Sequence, residues 1–450
     1  MTCKIINDKS HRRLKNGYKS IGKWAKYTNP LEDFEAHIAS HAQHSKRRMR
    51  KLCDNLLDFC ANPAFLENGL ETLDHKCCFK QNLPTFFIES KEIKWRFLKD
   101  LGWDISNGNF KPRKSKLVKI TNIGNFESQW IEVPPIESRI VAKTVTKLLT
   151  PILDPKFYPL SIGCRPNRGL HDGLAAASVL NEKGMNHIVC VKIRDAFDSI
   201  HLKTCYSLLE ILLYRSPIVS LLKKLNGKKR SYGLAKGIAC SPFLLNVYLD
   251  HFLDQWWIKL FGKTNRLIRF SDEIVIFCRS REEAVHAFEV LANRLMFLRF
   301  SVFKAEAESV KILDSGNTAL LFGSQVFNVS GELMFGCTDR TWDNLELCFA
   351  RTKYKKSAGF ILDLDENADE LIASWIYQNA HGIDQGRIDV VLDRLCELAA
   401  KYECPVISFG IDEAEYLWEK SMTQFNKSKK RFHKWFYNDP LGEKDFIGIN

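Results

Sequence analysis

Two carboxylates stand between two apolar runs. Residues 266–270 (RLIRF) and 274–278 (IVIFC) read as strands, separated by Ser271, Asp272 and Glu273, so a hairpin would carry both acids at its tip. Carboxylates in such a place can hold a divalent cation. A further β-branched run at 187–193 (HIVCVKI) reads as a strand and contains one cation, Lys192, followed by Asp195 and Asp198. The remaining reactive material is basic and clustered. One cluster holds Lys111, Arg113, Lys114, Lys116 and Lys119; a second, Lys223, Lys224, Lys228, Lys229 and Arg230; a third, Lys427, Lys429, Lys430, Arg431 and Lys434. Residues 1–60 add 13 Lys and Arg against 6 Asp and Glu, with Tyr18, Trp24 and Tyr27 among them. The third cluster is interleaved with Phe425, Phe432, Trp435 and Phe436. Cations that neutralise phosphates beside rings that stack on bases suit a nucleic-acid surface. Each cluster taken alone reads equally well as a solvated face beside core aromatics.

The whole chain agrees with that leaning. Its 450 residues carry 66 Lys and Arg against 53 Asp and Glu, a formal charge of +13. A hydrophobic share of 45% excludes wholesale disorder, and the length predicts two to four packed units. No apolar run approaches the ~18–20 residues that cross a bilayer, and the start MTCKIINDKSHRR has no apolar signal core. The expectation is a soluble, cytoplasmic protein with no membrane partner. The 14 cysteines include no Cys-x-x-Cys pair, and Cys77 and Cys78 are adjacent. Cys190, Cys205, Cys278 and Cys348 lie in apolar patterns and read as buried reduced thiols, not zinc ligands.

The elements that would position the acids follow from periodicity. Residues 31–61 read as helical, ending near Asn62-Pro63, and 104–115 read as a loop. Residues 140–153 read as an amphipathic helix stopped near Pro151 or Pro155, and 242–257 as a buried helix opening on Pro242. Residues 280–298 read as a helix capped by Ser280, and 319–327 as a strand pair interrupted by Gly323. Beyond 340 the pattern is mainly helical, as at 385–402, with one strand expected at 405–409.

The order strand, helix, acid-tipped hairpin, helix, strand is that of a polymerase palm, and several segments resemble bacterial and group II intron-type reverse transcriptases. PPIESRIV (134–141) resembles the family's second conserved block. LSIGCRPNRGLHDGL (160–174) is similar to its SYGFRPGRSxHDAL segment, with Arg165, Pro166, Arg168, His171 and Asp172 in place. KIRDAFDSIH (192–201) resembles motif A, GLAKGIACSPFLLNVYL (233–249) motif B, RFSDEIVIF (269–277) motif C, and LLFG (320–323) motif E. The resemblance covers about 116–327 and implies an α+β right-hand polymerase fold: fingers, a palm with an antiparallel sheet, and a helical thumb. The corresponding divisions are a basic helical N-terminal extension at 1–110, fingers at 111–186, palm at 187–335 and a thumb-like helical region at 336–450.

The family's chemistry uses one carboxylate from motif A and others from motif C to hold two Mg²⁺ ions. This sequence departs from that pattern. Lys192 stands at the motif A Asp, the alignment being fixed by Phe197 and Asp198 on the family's Phe-Asp pair. Asp272 is retained, but the second acid of motif C is Glu273. Lys236 replaces the motif B Gln, Gln129 stands at the basic triphosphate clamp, and Glu306 or Glu308 at the motif D Lys. An ammonium at 192 repels a metal ion and pairs with Asp272 or Glu273 instead. Asp198 or Asp195 could supply a replacement ligand, against the alternation of a strand. If a metal binds at all, Asp272 is its ligand, and the Mg²⁺ requirement holds only for an active enzyme.

The resemblance thus implies a degenerate reverse transcriptase that binds RNA or DNA in bacterial antiphage defence. Its expected partners are a noncoding RNA and an active reverse transcriptase or a second copy of the chain. Two alternatives are an active RNA-directed or template-relaxed DNA polymerase with an altered metal site, and an intron maturase-like RNA-binding protein. Nucleic-acid contacts are expected at Lys114, Arg165, Arg168, Lys228, Lys229, Arg230, Lys429 and Arg431, with Phe197, Lys236 and Gln129 at the nucleotide.

Overall fold

The computed structural model describes residues 34, 38, 46–74, 90–121, 128–227, 231–235, 237–262, 264, 266–302, 309–313, 317–357, 368–404, 406 and 408–438, with the side chains of 117–133 and 351–357 outside the description. These residues divide into two compact units. The first takes the described residues up to Val118 with Ile131–Lys156 and His201–Phe243; the second takes Lys119–Trp130, Phe157–Ile200 and the described residues from Leu244.

The first unit is helical. It contains α1 (Lys46–Asp54), α2 (Leu56–Ala61), α3 (Pro63–Asp74) and α4 (Lys91–Ser106). The single helix expected to end at Asn62 is instead broken at Asn55, and Pro63 opens the next helix, where its missing N–H costs nothing. Ser90 caps α4 by accepting from the Ile93 N–H, and Gly102 lets α4 approach the Ala61 carbonyl, where a Cβ would stand 2.1 Å from the oxygen. The strands β1 (Lys116–Thr121) and β2 (Ser128–Val133), whose residues 119–121 and 128–130 are counted with the second unit, pair with each other. The helix α5 (Ile136–Leu153) continues past Pro151 and stops before Pro155, the second of the two expected stops; α5 packs along α3, and its buried face outweighs the backbone bond lost at Pro151.

The second unit is built on an antiparallel sheet. Its elements are α6 (Leu170–Glu182), β3 (His187–Arg194), a one-turn α7 (Ala196–Ser199), then, after α8 (Leu202–Leu212) and α9 (Ile218–Leu225) of the first unit, α10 (Ser241–Leu249), whose first three residues are also of that unit. A π-helical turn, Asp250–Asp254, separates α10 from α11 (Gln255–Phe261). The buried helix read from sequence over 242–257 is therefore interrupted. The hairpin strands β4 (Arg266–Phe270) and β5 (Glu273–Cys278), the helix α12 (Arg281–Phe297), β6 (Ser301–Val302) and β7 (Val310–Ile312) follow. Strand order is β4-β5-β3-β6, with β7 also on β3. Ser280 caps α12 by accepting from the Glu283 N–H, and the buried Ala284, Ala287, Phe288, Leu291 and Leu295 form its inner stripe. A second sheet, β8 (Thr318–Leu321), β9 (Ser324–Val329) and β10 (Glu332–Gly336), turns at Gly323, whose φ of +87° suits glycine.

Helices α13 (Asp339–Ser357), α14 (Ala368–Asn379), α15 (Ile388–Lys401) and α16 (Ile411–Asn438) complete the unit. Leu345, Phe349, Ile372, Trp375, Leu395 and Ala414 form their core. The strand expected at 405–409 is absent among the described residues there: Val406, Ser408 and Phe409 link α15 to α16, and Ser408 is held by the buried Asp369 carboxylate, which accepts from both its N–H and its hydroxyl. Local β-propensity yields to this side-chain anchor. Burial pushes the thiols of Cys205, Cys240 and Cys278 up to about 12, while Cys190 and Cys348 are half-buried. No described helix is long and apolar enough to cross a membrane.

Candidate active site on the palm hairpin

The acids lie where strand register puts them. In β3–β5 pairing, Lys192 stands directly opposite Glu273. Alternation buries Val191 and Ile193 and turns Lys192 outward. Lys192 Nζ donates to Glu273 Oε1 at 2.8 Å and lies 4.0 Å from Asp272 Oδ2. Asp272 sits in the two-residue turn with Ser271, which adopts φ 60°, and its carbonyl accepts from the Ile193 N–H at 2.9 Å. The three side chains are 44%, 28% and 31% exposed for Lys192, Asp272 and Glu273, so they form an open cluster of net charge −1.

A buried network anchors the hairpin. Arg269, fully buried, donates from Nε to both oxygens of Asp254 at 3.0 Å and from Nη2 to Asp254 Oδ2 at 2.7 Å. Its Nη1 donates to Asn246 Oδ1 at 2.8 Å and to the Ser271 carbonyl at 2.9 Å, and its Nη2 to Ser161 Oγ. Asn246 in turn donates to the Gly163 carbonyl at 2.7 Å. Gly163 lies so close to the turn that a Cβ would stand 2.3 Å from the Ser271 nitrogen. Backbone bonds from Arg269 N–H to the Leu160 carbonyl and from Ile162 N–H to the Arg269 carbonyl complete the clamp. Asp250, one π-turn before Asp254, accepts from the Tyr158 N–H at 2.7 Å; burial, then the nearby Asp254 charge, push its carboxyl well above the usual range.

Arg269, Asp254, Asn246 and Gly163 were absent from the sequence-predicted site. Their signal was present: Asn246, Asp250 and Asp254 recur at four-residue spacing in a largely apolar segment, and Arg269 is a charge inside an apolar strand.

Other predicted residues are placed as follows. Asp198 is exposed on α7, after Asp195 at φ 46°, and Phe197 beside it is half-buried. Arg165 is buried and donates to the carbonyls of Tyr158 and Ser161, so it braces the loop before α6. Arg168 is half-buried and Lys114 exposed. Lys429 pairs with Glu182 at 2.6 Å, and Arg431 with the fully buried Asp172, both on α6. Asp172 also accepts from Ser428 Oγ at 2.7 Å and from the Gly169 N–H. Burial opposes its ionisation, but the hydrogen bonds from His171, Ser428 and Gly169 outweigh burial and hold it well below the usual carboxylate range. Lys228, Lys229, Arg230, Lys236, Glu306 and Glu308, the side chain of Gln129 and the basic stretch before residue 34 lie outside the described residues.

The family model for reverse transcriptase (RNA-dependent DNA polymerase) matches residues 127–308, the segment that carries β3 and the hairpin. Over this segment the chain is similar to reverse transcriptases, including group II intron-encoded ones. The group II intron-encoded protein LtrA of Lactococcus lactis subsp. cremoris is 25% identical over 179 residues, 38% of this chain and 29% of LtrA. Protein YkfC of Escherichia coli (strain K12) is 23% identical over 177 residues, 36% of this chain and 45% of YkfC. The chain therefore spans less than half the length of these relatives. Two solved structures are similar in outline: a partial Cas6-RT-Cas1–Cas2 complex (20% identity, 54% of this chain and 42% of that chain, TM-score 0.34) and apo telomerase from Candida tropicalis (11% identity, 77% and 74%, TM-score 0.35). The right-hand polymerase fold rests on the matched segment and its antiparallel sheet.

Reverse transcriptases use Mg²⁺, which would activate an attacking hydroxyl and stabilise a leaving phosphate. The donor set of this reverse transcriptase segment does not fit a two-metal site. Two carboxylates are present, and one is already bonded to an ammonium. Among the described residues no group of three or more His, Cys, Asp or Glu side chains is placed to hold a metal ion.

Proposed function

We propose that this chain uses a reverse transcriptase fold to bind RNA or DNA, with weak or no nucleotide incorporation, as a binding or structural subunit. The observation that supports this most is the 2.8 Å contact between Lys192 Nζ and Glu273, Lys192 being the residue that the resemblance aligns with the metal-binding Asp of motif A. An ammonium there supplies one fixed positive charge, which cannot bridge an attacking and a leaving oxygen as a metal pair does. The family's standalone bacterial members suggest the setting: antiphage defence, beside a noncoding RNA and an active reverse transcriptase or a second copy of the chain. Primer extension with all four deoxynucleotides tests this. The proposal expects no robust incorporation, together with RNA or DNA binding that survives Asp272→Ala and weakens with salt. Robust incorporation abolished by Asp272→Ala overturns it.

One observation favours a second reading, an active polymerase with an altered metal site. Asp272 lies 4.0 Å from the ammonium, beyond hydrogen-bond reach, so its carboxylate is open to a single cation.

A further inference from the structure

Among the described residues, those that line a cleft in the first unit all belong to that unit, and none comes from the hairpin. One wall is a face of α4 (Lys91–Ser106), from which Phe97, Asp100 and Asp104 line the cleft at the i, i+3, i+7 spacing of a helical face. Beyond α4 the chain doubles back, with the Phe110 N–H donating to the Asp104 carbonyl at 2.9 Å, and this brings Phe110, Lys111 and Arg113 to the same space. The third contribution is the first turn of α5 (Ile136–Leu153), through Glu137 and Ser138. The cavity is about 170 Å³ and open at its mouth, so it grips part of a ligand and leaves the rest at the surface.

Three observations say what would fit. Ser138 is 3% exposed, and its Oγ has no hydrogen-bond partner among the described residues. A buried hydroxyl left that way is costly, and a ligand in the cleft would satisfy it. The helix α5 opens at Pro135 with no side-chain cap, so its first-turn N–H groups have no acceptor within the helix and favour an anion, as does Lys111. Arg113 and Glu137 lie 3.5 Å apart and offset each other, which leaves Asp100 and Asp104 as acceptors on the α4 wall.

We propose that this cleft binds a guanosine 5′-phosphate group, either a free nucleotide or the terminal nucleotide of a strand. The phosphate lies at Lys111 and the start of α5, where the Ser138 hydroxyl donates to it. The base packs on the half-buried Phe97. The guanine N1–H and 2-amino group donate side by side to a carboxylate of Asp100 or Asp104, a two-bond match that the Watson–Crick edges of adenine, cytosine and uracil do not offer. This assignment is independent of the reading of the palm hairpin.

Calorimetric titration of the full chain with GMP, AMP, CMP, UMP and inorganic phosphate tests it. GMP should bind at least about tenfold more tightly than the other nucleotides, the worth of one charge-assisted hydrogen bond. The Asp100→Asn/Asp104→Asn variant should lose that preference. Ser138→Ala should weaken GMP binding while thermal unfolding stays equal or rises, which a purely structural hydroxyl would not do. A 5′-phosphorylated oligonucleotide beginning with G that outcompetes GMP, when its 5′-hydroxyl counterpart does not, places a strand end in the cleft; the reverse order assigns the free nucleotide. No GMP binding, equal binding of all four nucleotides, or GMP binding indifferent to both variants overturns the proposal.

Discussion

The β4–β5 hairpin meets two cations, one buried beneath its turn and one at its exposed tip. Arg269 and Lys192 both face carboxylates, yet their surroundings differ in every respect that sets energy. Arg269 and Asp254 are wholly buried, joined by several bonds, and surrounded by Asn246, Ser161 and the Ser271 carbonyl, which satisfy the remaining donors. Lys192 makes one bond to Glu273, with water free to solvate all three charged groups at the tip. The buried pair is thus coupled to the position of the turn, since Arg269 reaches the turn carbonyl itself. The exposed pair adds little to folding, and what it changes is the charge that a metal or a phosphate would meet. The parts that hold the hairpin are thus distinct from the charged groups at its tip.

The contrast predicts a graded series. Arg269→Met, which leaves Asp254 buried without its partner, should cost about 3–5 kcal/mol in denaturant unfolding, and adding Asp254→Leu should recover much of that. A cost below about 1 kcal/mol would break the comparison. Asp172→Asn keeps the Ser428 contact but loses the charge that Arg431 meets, and should cost about 1–3 kcal/mol. Acid should act on the same group. Because the folded-state pKa of Asp172 is depressed, its contribution is present above the ordinary carboxylate pKa and is lost as pH falls through and below about 4. Unfolding curves at pH 7 and pH 3 should therefore differ more for the native chain than for Asp172→Asn. Smallest of all, Lys192→Ala should change stability by no more than about 1 kcal/mol.

Much of this arrangement was legible in the residues. The β-branched run HIVCVKI announced a strand carrying Lys192, and the run Ser271-Asp272-Glu273 between two apolar segments announced the hairpin. Ser280 marked the start of its helix because a cap is a local device. What escaped notice was long-range. Asp254 and Arg269 are 15 residues apart, and only the π-turn after α10 and the register of β4 bring them together. The basic cluster at 427–434 showed its charge but not its partners, since Asp172 and Glu182 lie about 250 residues earlier and meet Arg431 and Lys429 only where α16 packs on α6. Burial of Arg165 was likewise hidden, because its acceptors are backbone carbonyls that every sequence possesses.

The central claim is that Lys192 holds the place of a metal ion at the hairpin tip. Titration of Mn²⁺ into the native chain and into Lys192→Asp, followed by electron paramagnetic resonance, tests it most directly, since it reads the ion without requiring turnover. The account predicts no site dependent on Asp272 in the native chain, and a site in Lys192→Asp that disappears when Asp272→Ala is added. Mn²⁺ bound to the native chain as tightly as to Lys192→Asp, and released by Asp272→Ala, would contradict it.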